Sequence, residues 1–118
     1  MNKQLKLKLE SIKNLDRSFH FKENVLKINR HSNLRHELSK FLVLWELTQN
    51  GLTVISEAIF CNKKRADLFI LEWNKAIEIV NSETEESIEK KKNDYPVEIT
   101  FLKADDILKQ NRIKIEDE

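Results

Sequence analysis

Between residues 32 and 50, Leu34, Leu38, Phe41, Leu42, Trp45 and Thr48 recur at three-and-four spacing. That pattern predicts an amphipathic helix whose stripe faces a core. Ser32 or Asn33 serves as its N-cap, and Gly51 takes the left-handed conformation at its end. Glu37 falls about 60° from Leu34 on the helical wheel, which puts a carboxylate on the flank of the buried face. Beyond Gly51 the composition turns to β-formers. Residues 52–60 read as a strand, Asn62-Lys63-Lys64 as a polar turn, residues 65–71 as a second strand, Glu72-Trp73-Asn74-Lys75 as a hairpin connection, and residues 76–81 as a third strand. Ser82 with Glu85 three positions on forms a capping box, so a second helix is predicted over residues 83–94. Pro96 stops it, and Val97, Ile99 and Phe101 alternate with Glu98 and Thr100 as a fourth strand. A short helix at residues 105–110 and an extended piece at 113–115 complete the chain.

The start of the chain supports two readings. Leu5, Leu7 and Leu9 alternate as in a strand, while Leu5, Leu9, Ile12 and Leu15 also fit a helix; we read residues 3–14 as helical, with an extended piece around Phe19-His20-Phe21.

Composition narrows the class. The chain has 118 residues, 40% hydrophobic and 35% charged, which suits one globular domain with one modest core. No apolar run approaches the ~18–20 residues of a bilayer span, and no signal-peptide core opens the sequence, so a cytoplasmic, intracellular protein is expected. The single Cys61 excludes an internal disulfide and a Cys-based zinc site. Charge is uneven: residues 1–36 hold nine Lys/Arg against three acids, a net +6, and the remaining residues hold twelve against seventeen, a net −5. We therefore divide the chain into a basic N-terminal segment, 1–30, forming a helix or an arm for a dimer or DNA, and an α/β core, 31–118. A basic segment suits phosphates, while gathered acids repel a polyanion unless a cation intervenes.

Strand alternation places Asp67 on the side of Arg65, Phe69 and Leu71, and Glu78 on the side of Ala76 and Val80. A hairpin closing at residues 72–75 sets Asp67 nearly opposite Glu78. Two acids on an apolar sheet are costly without a basic partner, and a hard divalent cation, Mg²⁺ or Mn²⁺, relieves the cost. The plainer alternative is an ion pair of Asp67 with Arg65 or Lys75. Glu57 on the first strand reads as an ion-pair partner of Lys63 or Lys64, or as a further ligand. Trp73 reads as a hairpin residue or a stacking platform.

Over residues 31–102 these features resemble the PD-(D/E)XK nuclease superfamily. Arg65-Ala66-Asp67-Leu68 looks like its first motif and Ile77-Glu78-Ile79-Val80 like its second. Glu37 matches the acid that Holliday-junction resolvases and related small nucleases carry on the first helix. The resemblance implies a restriction-endonuclease-like core of helix, three-stranded antiparallel meander, helix and fourth strand. It also implies a metal held by Asp67, Glu78 and the Ile79 carbonyl, with Glu37 acting through water. Val80 stands where the family has its catalytic lysine. Some members carry that lysine on the following helix, where Thr84, Ile88, Lys91 and Tyr95 share a stripe. Lys91 is then the replacement or a lysine whose stem merely covers apolar surface, and Lys92 is the fallback. The implied activity is Mg²⁺- or Mn²⁺-dependent DNA cleavage, possible structure selectivity included, by a homodimer without an organic cofactor. Lys13, Arg17, Arg30, His31 and Arg35 are the expected phosphate contacts. The alternative is a nuclease fold that binds nucleic acid or a protein without cutting.

Overall fold

The computed structural model describes residues 2–114. Helix α1 (Lys3–Lys13) begins at Asn2, whose side chain accepts the Leu5 N–H at 2.7 Å. Its Ser11 is fully buried and donates its hydroxyl to the Leu71 carbonyl at 2.6 Å, so the helical reading of the start holds and α1 is tied to the sheet. Then come α2 (Leu34–Gln49), β1 (Val54–Ile59), β2 (Arg65–Ile70), β3 (Lys75–Val80), α3 (Glu85–Lys92), β4 (Glu98–Lys103) and α4 (Ala104–Gln110). Asn33 caps α2 by accepting the His36 N–H at 2.8 Å, and Gly51 follows its end at φ +79°.

The fold is α/β, a four-stranded mixed sheet in the order β1-β2-β3-β4. The first three strands form an antiparallel meander, and β4 runs parallel to β3. A parallel neighbour requires a crossover, and α3 lies on that connection. Its cap is Thr84, which accepts the Ser87 N–H at 3.2 Å, and not Ser82. The helix starts two residues later than the capping box places it, because Glu83 stays outside and turns its carboxylate to Lys91. At the C-terminus, residues 113 and 114 form no regular element, and Ile115 lies outside the described residues.

Leu44, Leu52, Val54, Leu68, Ile70 and Ile77 fill the space between α2 and the sheet, continued by Ile79, Ala104 and Ile107 beside α4. The second cluster joins Leu15, Ile55, Phe60, Phe69, Ala76 and Ile99, with Phe19, Phe21 and Tyr95 packed on it. Phe60 meets Phe69 and Tyr95 edge-on at 5.0 and 6.0 Å, a favoured aromatic geometry. Residues 15–27 run along the outer side of β1: Asp16 N–H reaches Ile59 O at 2.9 Å, Asn24 N–H reaches Val54 O at 2.8 Å, and Lys27 N–H reaches Ser56 Oγ at 2.8 Å. An edge strand so covered does not offer its ladder to another chain.

The facing of α2 corrects the sequence expectation. Leu34, Phe41 and Trp45 are exposed, while Ser39, Lys40 and Leu44 are buried. The helix is turned so that Val43, Leu44 and Leu47 meet the sheet and Lys40 reaches carboxylates beneath it. A buried ammonium is tolerated only where it is paired and hydrogen-bonded, and this orientation supplies the partners. Among the described residues no helix is long and apolar enough to cross a membrane.

Candidate functional site

Three acids stand level across the meander. The pairs Ser56↔Leu68 and Ala58↔Ala66 bracket Glu57 opposite Asp67, and the register of Leu68↔Ile77 carries on to Asp67 opposite Glu78. Glu57 adopts φ +52°, a left-handed conformation uncommon for a residue with a Cβ. It breaks the alternation of β1, since Ile55 and Ala58 both join the cluster of Phe60. Strand β2 breaks likewise: Ala66 and Phe69 share that cluster, while Asp67 and Leu68 turn to α2. Asp67 therefore leaves the side of Phe69 and Leu71 on which strict alternation places it.

Backbone pairing of β2 with β3 stops at Leu68 and Ile77. Beyond it, side chains replace the ladder: Glu78 Oε1 accepts the Asp67 N–H at 2.7 Å, and Asp67 Oδ2 accepts the Ile79 N–H at 2.7 Å. Buried backbone donors need partners, and these two acids supply them where the strands part.

From α2, His36 joins two acids. Its Nε2 lies 3.1 Å from Asp67 Oδ2 and its Nδ1 lies 2.7 Å from Glu37 Oε2. Both nitrogens must carry protons to donate both bonds. The hydrogen bond to Asp67 raises the His36 pKa to about 9, against the opposing effect of burial and with help from Glu37. Lys40, fully buried, donates to Glu37 Oε1 at 2.7 Å and Lys27 O at 2.8 Å, and stands 3.7 Å from Glu57 Oε2. A row of alternating sign results: Asp67, His36, Glu37, Lys40, Glu57.

Four carboxyl groups against two cations leave the cluster short of positive charge, and the proton affinities follow. Burial, opposed by the Lys40, Asn29 and His36 donors that outweigh it, leaves the Glu37 pKa at about 2. Burial lifts Glu57 above the usual carboxylate range, Lys40 offsetting only part of it. Burial and then the Asp67 charge hold Glu78 well above that range. Tyr95 donates to Arg65 O at 2.8 Å; burial, then the charges of Glu78 and Asp67, push its hydroxyl pKa up.

Among the described residues no group of three or more His, Cys, Asp or Glu side chains has metal-binding geometry. The chemistry of the Asp67 and Glu78 pair nevertheless suits a hard cation. Two neighbouring carboxyls form an all-oxygen donor set, and Mg²⁺ commonly takes one or two carboxylates and keeps its waters. No protein N–H or cation among the described residues donates to Asp67 Oδ1 or Glu78 Oε2. Glu37 has both oxygens engaged by Asn29, Lys40 and His36, which makes it a group that positions others.

The remaining expected residues lie apart. Lys91 Nζ is 2.6 Å from Glu83 Oε2 and makes no contact with Asp67 or Glu78. Lys92 pairs with Glu89 at 3.1 Å. Glu57 pairs with Lys40, whereas Lys63 pairs with Asp16. Arg30 and His31 are exposed beside Asn29, whose N–H is given to Glu37 at 2.7 Å. Arg35 pairs with Asp105 of α4, while Lys13 and Arg17 are exposed at and after the end of α1. Sequence reasoning missed Lys40 and the linking role of His36; a Glu37/Lys40 pair one helical turn apart is the signal that pointed to them. The chain matches no protein-family model, no curated protein and no solved structure.

Proposed function

We propose that this protein is a small Mg²⁺- or Mn²⁺-dependent DNA endonuclease of the PD-(D/E)XK type with a restriction-endonuclease-like core, acting as a homodimer. The observation that carries the reading is the parting of β2 from β3 at Asp67 and Glu78, where Glu78 Oε1 accepts the Asp67 N–H and Asp67 Oδ2 accepts the Ile79 N–H. Element order supports it, since a helix precedes the meander and a crossover helix leads to a parallel fourth strand. Asp67, Glu78 and the Ile79 carbonyl would hold the cation, which supplies Lewis-acid polarisation of the scissile phosphate. His36 fixes the orientation of Asp67, and Glu37, anchored by Lys40, fixes His36. For a cation to be held there, Glu78 would have to be ionised, against the burial and the Asp67 charge that raise its pKa. Arg30 and His31, next to Asn29 that binds Glu37, would contact phosphates, as would Lys13, Arg17 and Arg35. No organic cofactor is invoked.

A second reading has its own support. The His36 imidazolium already rests on Asp67 Oδ2, Lys91 is engaged by Glu83, and Val80 is apolar. A resident cation in place of a metal suits a nuclease fold that binds nucleic acid or a protein without cutting it. Incubation of supercoiled plasmid and branched DNA with Mg²⁺, Mn²⁺ or EDTA separates the two. Nicking that needs the divalent ion and vanishes in Asp67→Ala and Glu78→Ala is the expected result. Tight DNA binding with no cleavage in either metal, and no Mn²⁺ heat of binding that Asp67→Ala removes, establishes the second reading.

A further inference from the structure

We propose that the cavity between residues 19–27 and β1 seats an unpaired nucleobase, and so directs the carboxylate row toward single-stranded DNA at a fork, flap or loop. This choice of ligand rests on the nuclease reading; the cavity's chemistry does not. Its volume is about 300 Å³, and its walls include Phe19, Phe21, His20, Lys22, Lys27 and Ser56. The two phenyl rings lie 6.2 Å apart at 42° and are half-buried against the core cluster of Phe60 and Phe69, so little freedom is lost when a base stacks on them. Among the described residues no acid lines the cavity. Lys22, Lys27 and His20 add basic groups to the same walls, which pairs a stacking surface with charge for a sugar-phosphate backbone.

Its floor is joined to the carboxylate row. Ser56 Oγ accepts the Lys27 N–H and donates to Val25 O at 2.6 Å, and Glu57 is the next residue along β1. The Lys27 carbonyl holds the Lys40 ammonium that pairs with Glu37. A strand whose base is seated there is thus anchored on the segment that the charged row itself clamps. Paired bases within a duplex keep their faces stacked and cannot enter; an unpaired base can.

The test uses the full chain in EDTA, so that binding is read without cleavage. The probes are a single-stranded oligonucleotide carrying 2-aminopurine and a blunt duplex of the same length. The wild type is expected to quench the 2-aminopurine and to bind the single strand at least about tenfold more tightly. Phe21→Leu, with an unchanged melting temperature, is expected to lose the quench and about five- to hundredfold in affinity. Lys22→Ala is expected to weaken binding and flatten its salt dependence. Absence of quenching by the wild type, equal affinity for duplex, or an unaltered Phe21→Leu overturns the proposal. If Phe21→Leu does not fold, the exposed Lys22→Ala and His20→Ala decide, and unchanged affinity in both overturns it. Displacement of the oligonucleotide by an equal concentration of dAMP marks a free-nucleotide site and also overturns it. Metal-dependent nicking is scored separately: quenching without nicking keeps the pocket and sinks the nuclease reading, and nicking without quenching does the reverse.

Discussion

Lys40→Met keeps the unbranched stem of the side chain and removes only its charge. The ammonium is fully buried, with Glu37 at 2.7 Å, Lys27 O at 2.8 Å and Glu57 at 3.7 Å. Its loss strands the Lys27 carbonyl and removes the ion-pair partner of Glu57. Removing one member of a buried ion pair costs roughly 3–5 kcal/mol. Glu57, whose pKa burial already raises, can take a proton and absorb part of that cost, while Glu37 keeps Asn29 and His36 as donors. The lower end of the range, about 3 kcal/mol, is therefore expected, or roughly 12 °C in Tm for a domain of this size. Urea denaturation followed by circular dichroism at pH 7 measures it. Adding Glu57→Gln removes the stranded carboxylate and should restore about 1–2 kcal/mol. The acid limb supplies a further check. Glu37 has a folded-state pKa of about 2 against its ordinary 4.5, so its contribution is present above pH 4.5 and disappears as pH falls through about 2. Without Lys40 that carboxyl rises, and acid unfolding should begin at higher pH. A cost below about 0.5 kcal/mol, or a double variant no more stable than the single one, refutes the idea that the row is held by Lys40.

Two other expectations follow from the same geometry. Leu44→Ala should cost about 2–5 kcal/mol, as for a buried leucine, and Trp45→Ala should stay within about 1 kcal/mol; the reverse order in urea melts means α2 presents the opposite face. In the metal-free protein the His36 imidazole should stay protonated through pH 7.5 by NMR, because its folded pKa of about 9 lies above the ordinary 6.5. Its contribution to stability is complete below pH 6.5 and is lost as pH rises through about 9, so His36→Gln should remove an alkaline decline between those limits.

The meander and the meeting of Asp67 with Glu78 were legible because short turns at residues 60–64 and 71–75 leave little freedom of register. The facing of α2 was not legible. Apolar residues occupy two overlapping stripes, Leu34-Phe41-Trp45 and Val43-Leu44-Leu47, and helical periodicity cannot choose between them. What selects one is the contact of Lys40 with Glu57, seventeen residues along the chain and visible only after β1 is in place. Glu57 was assigned to Lys63 or Lys64 and not to Lys40 for a related reason: its left-handed backbone breaks the alternation of β1. Lys91 was placed correctly on a helix, but Glu83, read as part of α3, lies just before it and captures the amine.

The hydrogen bonds that the Asp67 and Glu78 carboxyls accept from the parted strands bear on ancestry as much as on chemistry. A carboxylate that closes a backbone gap is retained for cohesion whether or not phosphodiesters are hydrolysed. Descendants of this chain would stay under selection to keep both acids for the fold alone, so the persistence of Asp67 and Glu78 would measure fold maintenance and not catalysis.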